Sequence, residues 1–391
     1  MNNLPIRYHR HPCNTVKPPA KVRAMLAIVS VLSLVSVAST DEIDVWIGTG
    51  NAGIYHLKLD TDQGAMTQPT LASDIKGAGF LAMHPNGRII YSTDRANNGG
   101  VTALAIGDPA DDQSRLSQIN SLSTGDGGAA CVGIEKTGNV VMSAQYGGGS
   151  VSTYLVNPDG SLNRRVETVE HGAGSGILEK RQATSHPHWV GTSPDNRFLM
   201  VPDLGMDRVV VYELNAETAE LKPLAKIAVP PGSGPRHMKF HTSGKYAYVL
   251  NELTLTISVF EYNAADATFK EIQLIETLPN DKKDRHLNSA AEIRVHPSGR
   301  FVYSSNRGHD SISVFSVDLT TGKLTFVERE AIRGAWPRNF NIDPSGKWLI
   351  AAGRYSNTLA LFEIDQESGE LIFTRKVVNV PAPICVMFGS E

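Results

Sequence analysis

Short hydrophobic runs separated by turn residues recur along most of this chain. The clearest stretch, 289–317, contains the runs AEIRV, FVYSS and SISVFSV, which are separated by HPSG and by the polar sequence NRGHD. Val, Ile, Phe and Tyr dominate these runs, while Pro, Gly, Asn and Asp bound them, which is the signature of β-strands joined by tight turns. The pattern therefore predicts three consecutive antiparallel strands in this stretch.

This layout occurs six times in full, and a fourth run follows after a second turn, as in TGKLTFV and SGELIFT. Successive copies start 47 to 58 residues apart. This is the period of four-stranded propeller blades and is too long for ankyrin, tetratricopeptide or leucine-rich repeats. Each copy therefore predicts one blade with strands A, B, C and D. The copies start at His84, Glu135, Ser193, His241, His296 and Asp343.

A seventh copy is divided between two distant parts of the chain. Residues 44–67 have the pattern of strands B, C and D without a preceding A, whereas 382–391 have the pattern of an A strand alone. Pairing the two would complete a blade and remove open sheet edges, which invite aggregation. We therefore expect an all-β fold at 41–391: a seven-bladed β-propeller of four-stranded antiparallel blades. We expect the C-terminal strand to close the ring by pairing with the N-terminal blade.

The first 40 residues differ from the repeats. Five basic residues and no acidic residue precede an apolar run at 24–38, AMLAIVSVLSLVSVA. The run is short for a membrane span, and the small residues at its end suit cleavage before Asp41. We interpret 1–40 as a secretory leader, so a periplasmic or secreted protein without a stable membrane span is expected. The alternatives are an uncleaved N-terminal anchor and a cytoplasmic location.

Charge and cysteine content exclude several classes of partner. Because the whole chain carries −3 and the leader +5, residues 41–391 carry −8 with His counted neutral. No basic stripe is left to bind phosphates of nucleic acid, so no such partner is expected. Cys131 and Cys385 fall in A strands of different blades and are expected to be buried, unpaired thiols. His186 and His188 alone do not make a metal site, so we expect no metal and no cofactor, and we expect a monomer.

Polar residues gather where strand A begins and strand B ends. Counting eight residues each way from the turn between A and B compares the blades at one level, on the assumption that equidistant residues are cross-strand neighbours. The count predicts that these residues ring the mouth of the central channel. The histidines in the turn itself, His84, His241 and His296, are expected to face solvent. The rim positions are Gly79, Ala130, His188, Arg236, Ala291 and Arg338 on strand A, and Arg95, Tyr146, Leu204, Glu252, Arg307 and Arg354 on strand B.

The rim combines one histidine, one carboxylate and up to five arginines, and two long connections, 164–187 and 278–289, are placed to cover it. Arginine offers planar bidentate donors to carboxylate or phosphate, so a small anionic ligand is the natural inference, with Arg338 and Arg354 among its contacts. The alternative is that each arginine pairs with a nearby acid, such as Asp94, Asp203 or Asp310, and only cross-links blades.

Several phrases resemble one known family. GPRHMKFHTSGKYAYVLNE, NSAAEIRVHPSGRFVYSSNRGHDSISVF, WPRNFNIDPSGKWLIAAG and HPHWVGTSPDNRFLMVPDLGMDRV are similar to the seven-bladed propeller lactonases, a family that includes bacterial 6-phosphogluconolactonase and fungal 3-carboxy-cis,cis-muconate lactonising enzyme. The resemblance implies a site in which Glu252 or His188 is the general base, while Arg236 and Arg307 bind the anion and stabilise an oxyanion. The loop phrase GSGILEKRQ adds Arg181 and Gln182 as substrate contacts.

The activity implied by this resemblance is hydrolysis of a sugar lactone. The substrate would be 6-phospho-D-glucono-1,5-lactone or, in an exported protein, glucono-1,5-lactone. Two other functions stay open at this point. The same residues could cyclise a carboxy-cis,cis-muconate, and a propeller can also serve as a non-catalytic binding platform.

Overall fold

The computed structural model describes residues 42–94, 99–107, 115–282 and 287–389. The proposed leader at 1–40 and the rim residue Arg95 lie outside these ranges. Within them the chain forms seven antiparallel sheets, which confirms the predicted all-β propeller. No helical segment of the described residues has the length and apolar composition that a membrane crossing needs.

The first four blades follow the predicted order of strands. Strand A of blade 1 comes from the far end of the chain, and strand D of that blade is split into two short pieces, both paired with strand C. The strands are, for blade 1, Cys385–Phe388, Glu42–Gly48, Ile54–Asp60, Ala65–Met66 and Thr70–Ser73; for blade 2, Leu81–Met83, Ile89–Asp94, Gly100–Ile106 and Leu116–Ser123; for blade 3, Ala129–Ile134, Val140–Gln145, Ser150–Val156 and Leu162–Glu170; and for blade 4, Gly191–Thr192, Phe198–Asp203, Arg208–Leu214 and Leu221–Ala228.

The last three blades repeat the pattern without a split strand. Two short helical segments, Glu179–Gln182 and the 3-10 turn Asn280–Lys282, lie in the two long connections singled out in the sequence. The strands are, for blade 5, Pro235–Phe240, Tyr246–Asn251, Thr256–Asn263 and Thr268–Glu276; for blade 6, Ser289–Val295, Phe301–Arg307, Ser311–Val317 and Leu324–Ala331; and for blade 7, Pro337–Ile342, Trp348–Gly353, Thr358–Ile364 and Leu371–Asn379.

The ring closes as predicted. Strand Cys385–Phe388 pairs antiparallel with Glu42–Gly48, from Val45 opposite Phe388 to Gly48 opposite Cys385. Cys385 is thereby buried within blade 1, far in sequence from the strand that it pairs with. Both Cys385 and Cys131 are free, buried thiols, as expected, and burial raises the pKa of each to about 12.

Neighbouring blades are joined by a repeated contact between strand B of one blade and the C–D turn of the next. The hydroxyl of Tyr303 donates to the carbonyl of Gly369 at 2.8 Å, and Tyr248 makes the same contact with Gly322 at 3.2 Å. These glycines have φ near +75°, and a Cβ on Gly369 would lie 2.4 Å from the ring of Phe301, so only glycine fits the turn. The contact fixes the angle between blades at each of these steps of the ring.

The expectation that the turn histidines face solvent is wrong for two of them. His241 and His296 are buried, and their Nε2 atoms contact the carbonyls of Gly299 and Gly346 in the following blade at 2.9 and 2.7 Å. The A–B turn of one blade lies against that of the next, so an imidazole there can bridge two blades. This placement removes the ring from water.

The assumption of unbroken register between strands A and B is also wrong. In blade 5, Pro235 pairs with Asn251 and His237 with Leu250, which leaves Arg236 as an extra, bulged residue. Arg338 is bulged in the same way between Pro337 and Asn339, and blades 3 and 6 have irregularities at the same level. A β-bulge re-aims its extra side chain, and here it occurs where the strands reach the mouth of the channel.

Candidate active site

A polar recess lies at the mouth of the channel where the A strands begin. It is a cavity of about 530 Å³ with contributions from all seven blades. Most of the rim positions counted in the sequence line it, although the register within the blades differs from the one assumed. The lining residues are Gly77, Gly79, Phe80, Thr93, Gly128, Ala129, Ala130, Tyr146, Gly147, Arg181, His188, Arg236, Glu252, Arg307, Arg338 and Ile384.

Glu252 is the centre of the ionic contacts in this cavity. Its Oε2 lies 3.0 Å from Arg236 Nε and 3.0 Å from Arg307 Nη2, and its Oε1 lies 2.6 Å from Arg181 Nη2. Burial alone would raise the pKa of Glu252, but the charges of these three arginines offset it and hold the pKa well below its usual range. The carboxylate therefore stays ionised at neutral pH.

Arg338 brings a further positive charge without a matching acid. None of the described carboxylates forms an ion pair with its guanidinium. Burial lowers the pKa of Arg338 well below its usual value, and the positive charges of Arg236 and Arg307 lower it further. The lining thus contains four arginines and one glutamate. The excess of positive charge in an enclosed space favours an anionic ligand.

His188 supplies an uncharged base beside these cations. It is 5% exposed, and burial, Arg236 and His237 hold the pKa of its imidazole well below the usual value. Its Nδ1 is buried without a hydrogen-bond partner among the described residues. The ring packs edge-on against Tyr146, with centroids 5.4 Å apart, so it is held by packing rather than by a carboxylate.

The long connection before His188 brings Arg181 to the cavity but not Gln182. Arg181 donates to Glu252 and, at 3.4 Å, to the hydroxyl of Tyr146. The amide of Gln182 is buried instead, and donates to Leu204 O at 2.9 Å and to Asp207 Oδ1 at 2.7 Å. Gln182 therefore anchors the loop that presents Arg181, and it does not line the cavity.

Two other candidates lie outside the lining. The guanidinium of Arg354 lies 5.6 Å from the ring centre of Tyr355, and Arg354 is not among the residues that line the cavity. His186 stacks on Tyr146 and contacts the carbonyl of that residue at 2.7 Å through Nδ1. Across the described ranges, no three His, Cys, Asp or Glu side chains are arranged to hold a metal ion.

The sequence places Tyr146 on the rim but assigns it no role. It also gives no role to two residues behind the cavity floor, His237 and Glu292. Tyr146 contacts Arg181, His186 and His188, so it links the loop to the base. Behind Arg236, His237 and Glu292 are fully buried on A strands. Polar residues inside apolar runs, in PRHMKF and SAAEIRV, were the available signal, because a buried charge needs partners.

A propeller with a cationic cavity around one histidine and one glutamate defines the class, and comparison with known proteins agrees. The family described as lactonase with a seven-bladed β-propeller matches residues 44–388. The 6-phosphogluconolactonase of Bacillus subtilis is 38% identical over 349 residues, 88% of this chain and 97% of the relative. The chain therefore belongs to the seven-bladed β-propeller lactonase family.

Two further relatives extend this comparison. The 6-phosphogluconolactonase of Formosa agariphila is 33% identical over 299 residues, which cover 74% of this chain and 82% of the relative. The solved structure of the periplasmic gluconolactonase of Pseudomonas aeruginosa superposes with a TM-score of 0.82 at 29% identity, covering 89% of this chain and 99% of that one. The similarity thus extends over nearly the whole length of that structure.

Proposed function

We propose that this protein hydrolyses a six-carbon aldonolactone, and that 6-phospho-D-glucono-1,5-lactone is its preferred substrate. The observation that carries this proposal is the charge of the cavity, where four arginines surround one glutamate. A phosphate dianion would balance much of the excess, and Arg338 is available to it because no described carboxylate forms an ion pair with its guanidinium. Two curated relatives are named as 6-phosphogluconolactonases, which supports the same substrate class.

In the proposed reaction His188 is the general base. Both oxygens of Glu252 already contact guanidinium groups, whereas the imidazole of His188 is neutral and has no carboxylate partner among the described residues. His188 would take a proton from a water that attacks the lactone carbonyl and would return it to the ring oxygen as the C–O bond breaks. The product is the open-chain aldonic acid, which ionises to the aldonate and releases a proton to solvent, and no covalent intermediate is needed.

The arginines would stabilise the charge that develops during this reaction. Arg236 and Arg307 are both held by Oε2 of Glu252, so their guanidinium groups are fixed before the substrate arrives. Prearranged donors of this kind stabilise a tetrahedral oxyanion without reorganisation. Glu252 then acts mainly by holding the arginines.

The unphosphorylated lactone is a second candidate, favoured by the similarity to a periplasmic gluconolactonase and by the leader expected at 1–40. Fractionation of producing cells, with a C-terminal epitope detected in each fraction, tests the compartment. Recovery in the periplasm or medium would favour glucono-1,5-lactone, since its phosphorylated form is made inside cells. Recovery in the cytoplasm would contradict export.

Hydrolysis of the two lactones tests the activity directly. Proton release is followed with a pH indicator, and the spontaneous rate is subtracted because these lactones open unaided. We expect a higher kcat/KM for the phosphorylated lactone, and a loss of about 100-fold or more in His188→Ala. His309→Ala, a histidine outside the cavity, is the matched control and should keep full activity. If the wild-type protein hydrolysed neither lactone, hydrolysis of six-carbon aldonolactones would be excluded as its function.

A further inference from the structure

Behind the floor of the cavity lies a polar cluster that the proposed reaction does not use. His237, Glu292 and Asn339 come from the A strands of blades 5, 6 and 7, and each is 0% exposed. Burying a charge in the centre of a propeller is costly unless it is fully compensated. Its polar contact with the cavity lining is His237 Nε2, which lies 3.0 Å from Arg236 Nη1. The His237 ring also packs edge-on against His188 and Phe80, with centroids 5.4 and 5.7 Å apart.

The partners of His237 leave only one arrangement of its protons. Its Nδ1 lies 3.0 Å from Glu292 Oε1, and its Nε2 faces Arg236, which can only donate. Burial lowers the pKa of His237 to about 3, so the ring is neutral at pH 7. An ionised carboxylate only accepts, so the proton must lie on Nδ1 and the lone pair on Nε2.

Glu292 is itself held in a fixed orientation. Asn339 donates through Nδ2 to its Oε2, and the Oδ1 of Asn339 accepts the amide of Val386 at 2.8 Å, so this side-chain amide cannot turn over. Arg294 Nη2 lies 3.5 Å from the same Oε2. Burial alone would raise the pKa of Glu292, but the charge of Arg294 and the hydrogen bond from His237 keep it low.

We propose that Glu292 and His237 are positioning residues for the lactonase site: Glu292 fixes the tautomer of His237, whose Nε2 then holds Nη1 of Arg236. The other contact of Nη1 is the carbonyl of Ala291, and Nε faces Glu252, so Nη2 is left for a ligand. The proposal rests on the proposed function, because it assigns the purpose of the cluster to the arginine that binds the oxyanion.

The variant Glu292→Gln separates this role from simple cross-linking of blades. Asn339 and Arg294 both donate at the Oε2 position. The Oε1 position faces the backbone N–H of Ile293 at 3.0 Å and His237, whose proton can move to its other nitrogen. The carbonyl oxygen of the substituted side chain would therefore face Asn339 and Arg294, and its NH₂ would face His237. The proton of His237 would then move to Nε2, where it opposes the N–H of Arg236. In metal sites, removing a group that orients a ligating side chain costs about 10- to 100-fold in affinity or activity, and we expect a fall of that size in kcat/KM here.

Arg294→Gln is the matched control, because it removes the other charged contact of Glu292 but leaves the pair with His237 intact. Thermal unfolding followed by circular dichroism measures how much each variant destabilises the fold. A positioning role predicts that Arg294→Gln keeps kcat/KM within about threefold of wild type while Glu292→Gln loses at least about tenfold. Equal losses in both variants would overturn the proposal, since they would reflect structure alone.

Two readouts do not depend on turnover. Neutron diffraction of deuterated wild-type crystals locates the deuteron of His237, which we expect on Nδ1; a deuteron on Nε2 would overturn the proposal even if no variant folds. Calorimetric titration with inorganic phosphate measures ligand binding by the arginines, and Glu292→Gln should bind about tenfold more weakly than Arg294→Gln. If the wild type hydrolyses neither lactone, the proposed function fails, while these two measurements still decide the role of Glu292.

Discussion

Two buried carboxylates, Glu252 and Glu292, lie on adjacent blades and solve the same electrostatic problem in different ways. Both have a pKa held below the usual range by neighbouring cations and donors. Glu252 is surrounded by three arginines at the mouth of the channel, whereas Glu292 lies deeper, between a neutral histidine, an asparagine and one arginine. The first cluster has spare donors that face a cavity, whereas the donors around the second are directed at the carboxylate itself.

The difference shows that a buried ionic cluster can either support the fold or bind a ligand, depending on whether its charges are balanced and whether it opens into a cavity. Around Glu292 the partners match its acceptors, and the result is a rigid support. Around Glu252 positive charge exceeds negative charge, so the cluster is complete only when an anion enters the cavity. A buried ion cluster by itself is therefore weak support for a site, whereas an unbalanced one that opens into a cavity is strong support.

The largest effect is expected from removing the charge of the cavity carboxylate. Glu252→Gln should lower kcat by about 100-fold or more, because Arg181, Arg236 and Arg307 lose the group that holds them in place to stabilise the oxyanion. It should also destabilise the fold by about 3 kcal/mol or more, since buried positive charge is left uncompensated. Steady-state kinetics and thermal unfolding measure the two effects.

Added phosphate should partly restore the stability of Glu252→Gln, and this effect distinguishes Glu252 from Glu292. An added anion can enter the cavity and replace the missing charge, so the melting temperature of Glu252→Gln should rise with phosphate more steeply than that of the wild type. Glu292→Gln has no such access and should show no extra gain. An equal response in both variants would contradict the distinction between an open and a closed cluster.

Arg338 provides the next test. Arg338→Gln should raise KM for the phosphorylated lactone about tenfold or more, because a hydrogen bond to a charged group contributes about 1.5–3 kcal/mol. The kinetics on unphosphorylated glucono-1,5-lactone should change little, and Arg354→Gln is the control outside the cavity. A similar effect on both lactones would mean that Arg338 does not bind the phosphate.

The pH profile of kcat/KM should not show the fall that protonation of an ordinary histidine base causes. In the free enzyme the pKa of His188 lies well below its ordinary value of about 6.5, and Glu252 is ionised, so kcat/KM should not fall as the pH is lowered through about 6.5. Glucono-1,5-lactone is the substrate to use, because a phosphate group titrates near about pH 6. A fall in kcat/KM centred at about pH 6.5 would show that His188 is protonated there. It would contradict the low pKa that burial and the neighbouring positive charge of Arg236 give this residue.

The smallest effect concerns the outer edge of the Glu252 cluster. Tyr146→Phe removes a weak, 3.4 Å contact with Arg181 but keeps the ring that packs on His188. We expect a change in kcat/KM of about twofold or less. A larger loss would assign the hydroxyl a direct part in binding or proton transfer.

The sequence alone was sufficient for the blades, the ring closure and most of the rim, because all three depend on a repeat that can be counted. The level of Arg236 and Arg338 was predicted correctly although the pairing was not. A bulge depends on how a strand meets its neighbours at the channel, and no residue type in Pro235–Phe240 announces it. Counting along one strand therefore located the rim but missed the reason why its arginines point inward.

The role of a side chain within a loop was harder to predict. Arg181 and Gln182 are adjacent, and both were expected to contact the substrate, yet one lines the cavity and the other anchors the backbone. Helical turns separate neighbouring side chains by about 100°, so a one-residue difference changes which way each one points. His241 and His296 were misjudged for a related reason, since the partner turn comes from another blade and cannot be seen locally.

The pairing of Glu42–Gly48 with Cys385–Phe388 has a consequence for biosynthesis. Strand Glu42–Gly48 leaves the ribosome early and would wait with one edge bare until Cys385–Phe388 has been made. Contacts so distant in sequence form late and slowly, and unpaired edges in that interval attract other chains. Proteolytic loss of Cys385–Phe388 would open the ring at blade 1. It would leave the edge of strand Glu42–Gly48 unpaired again and prone to aggregation.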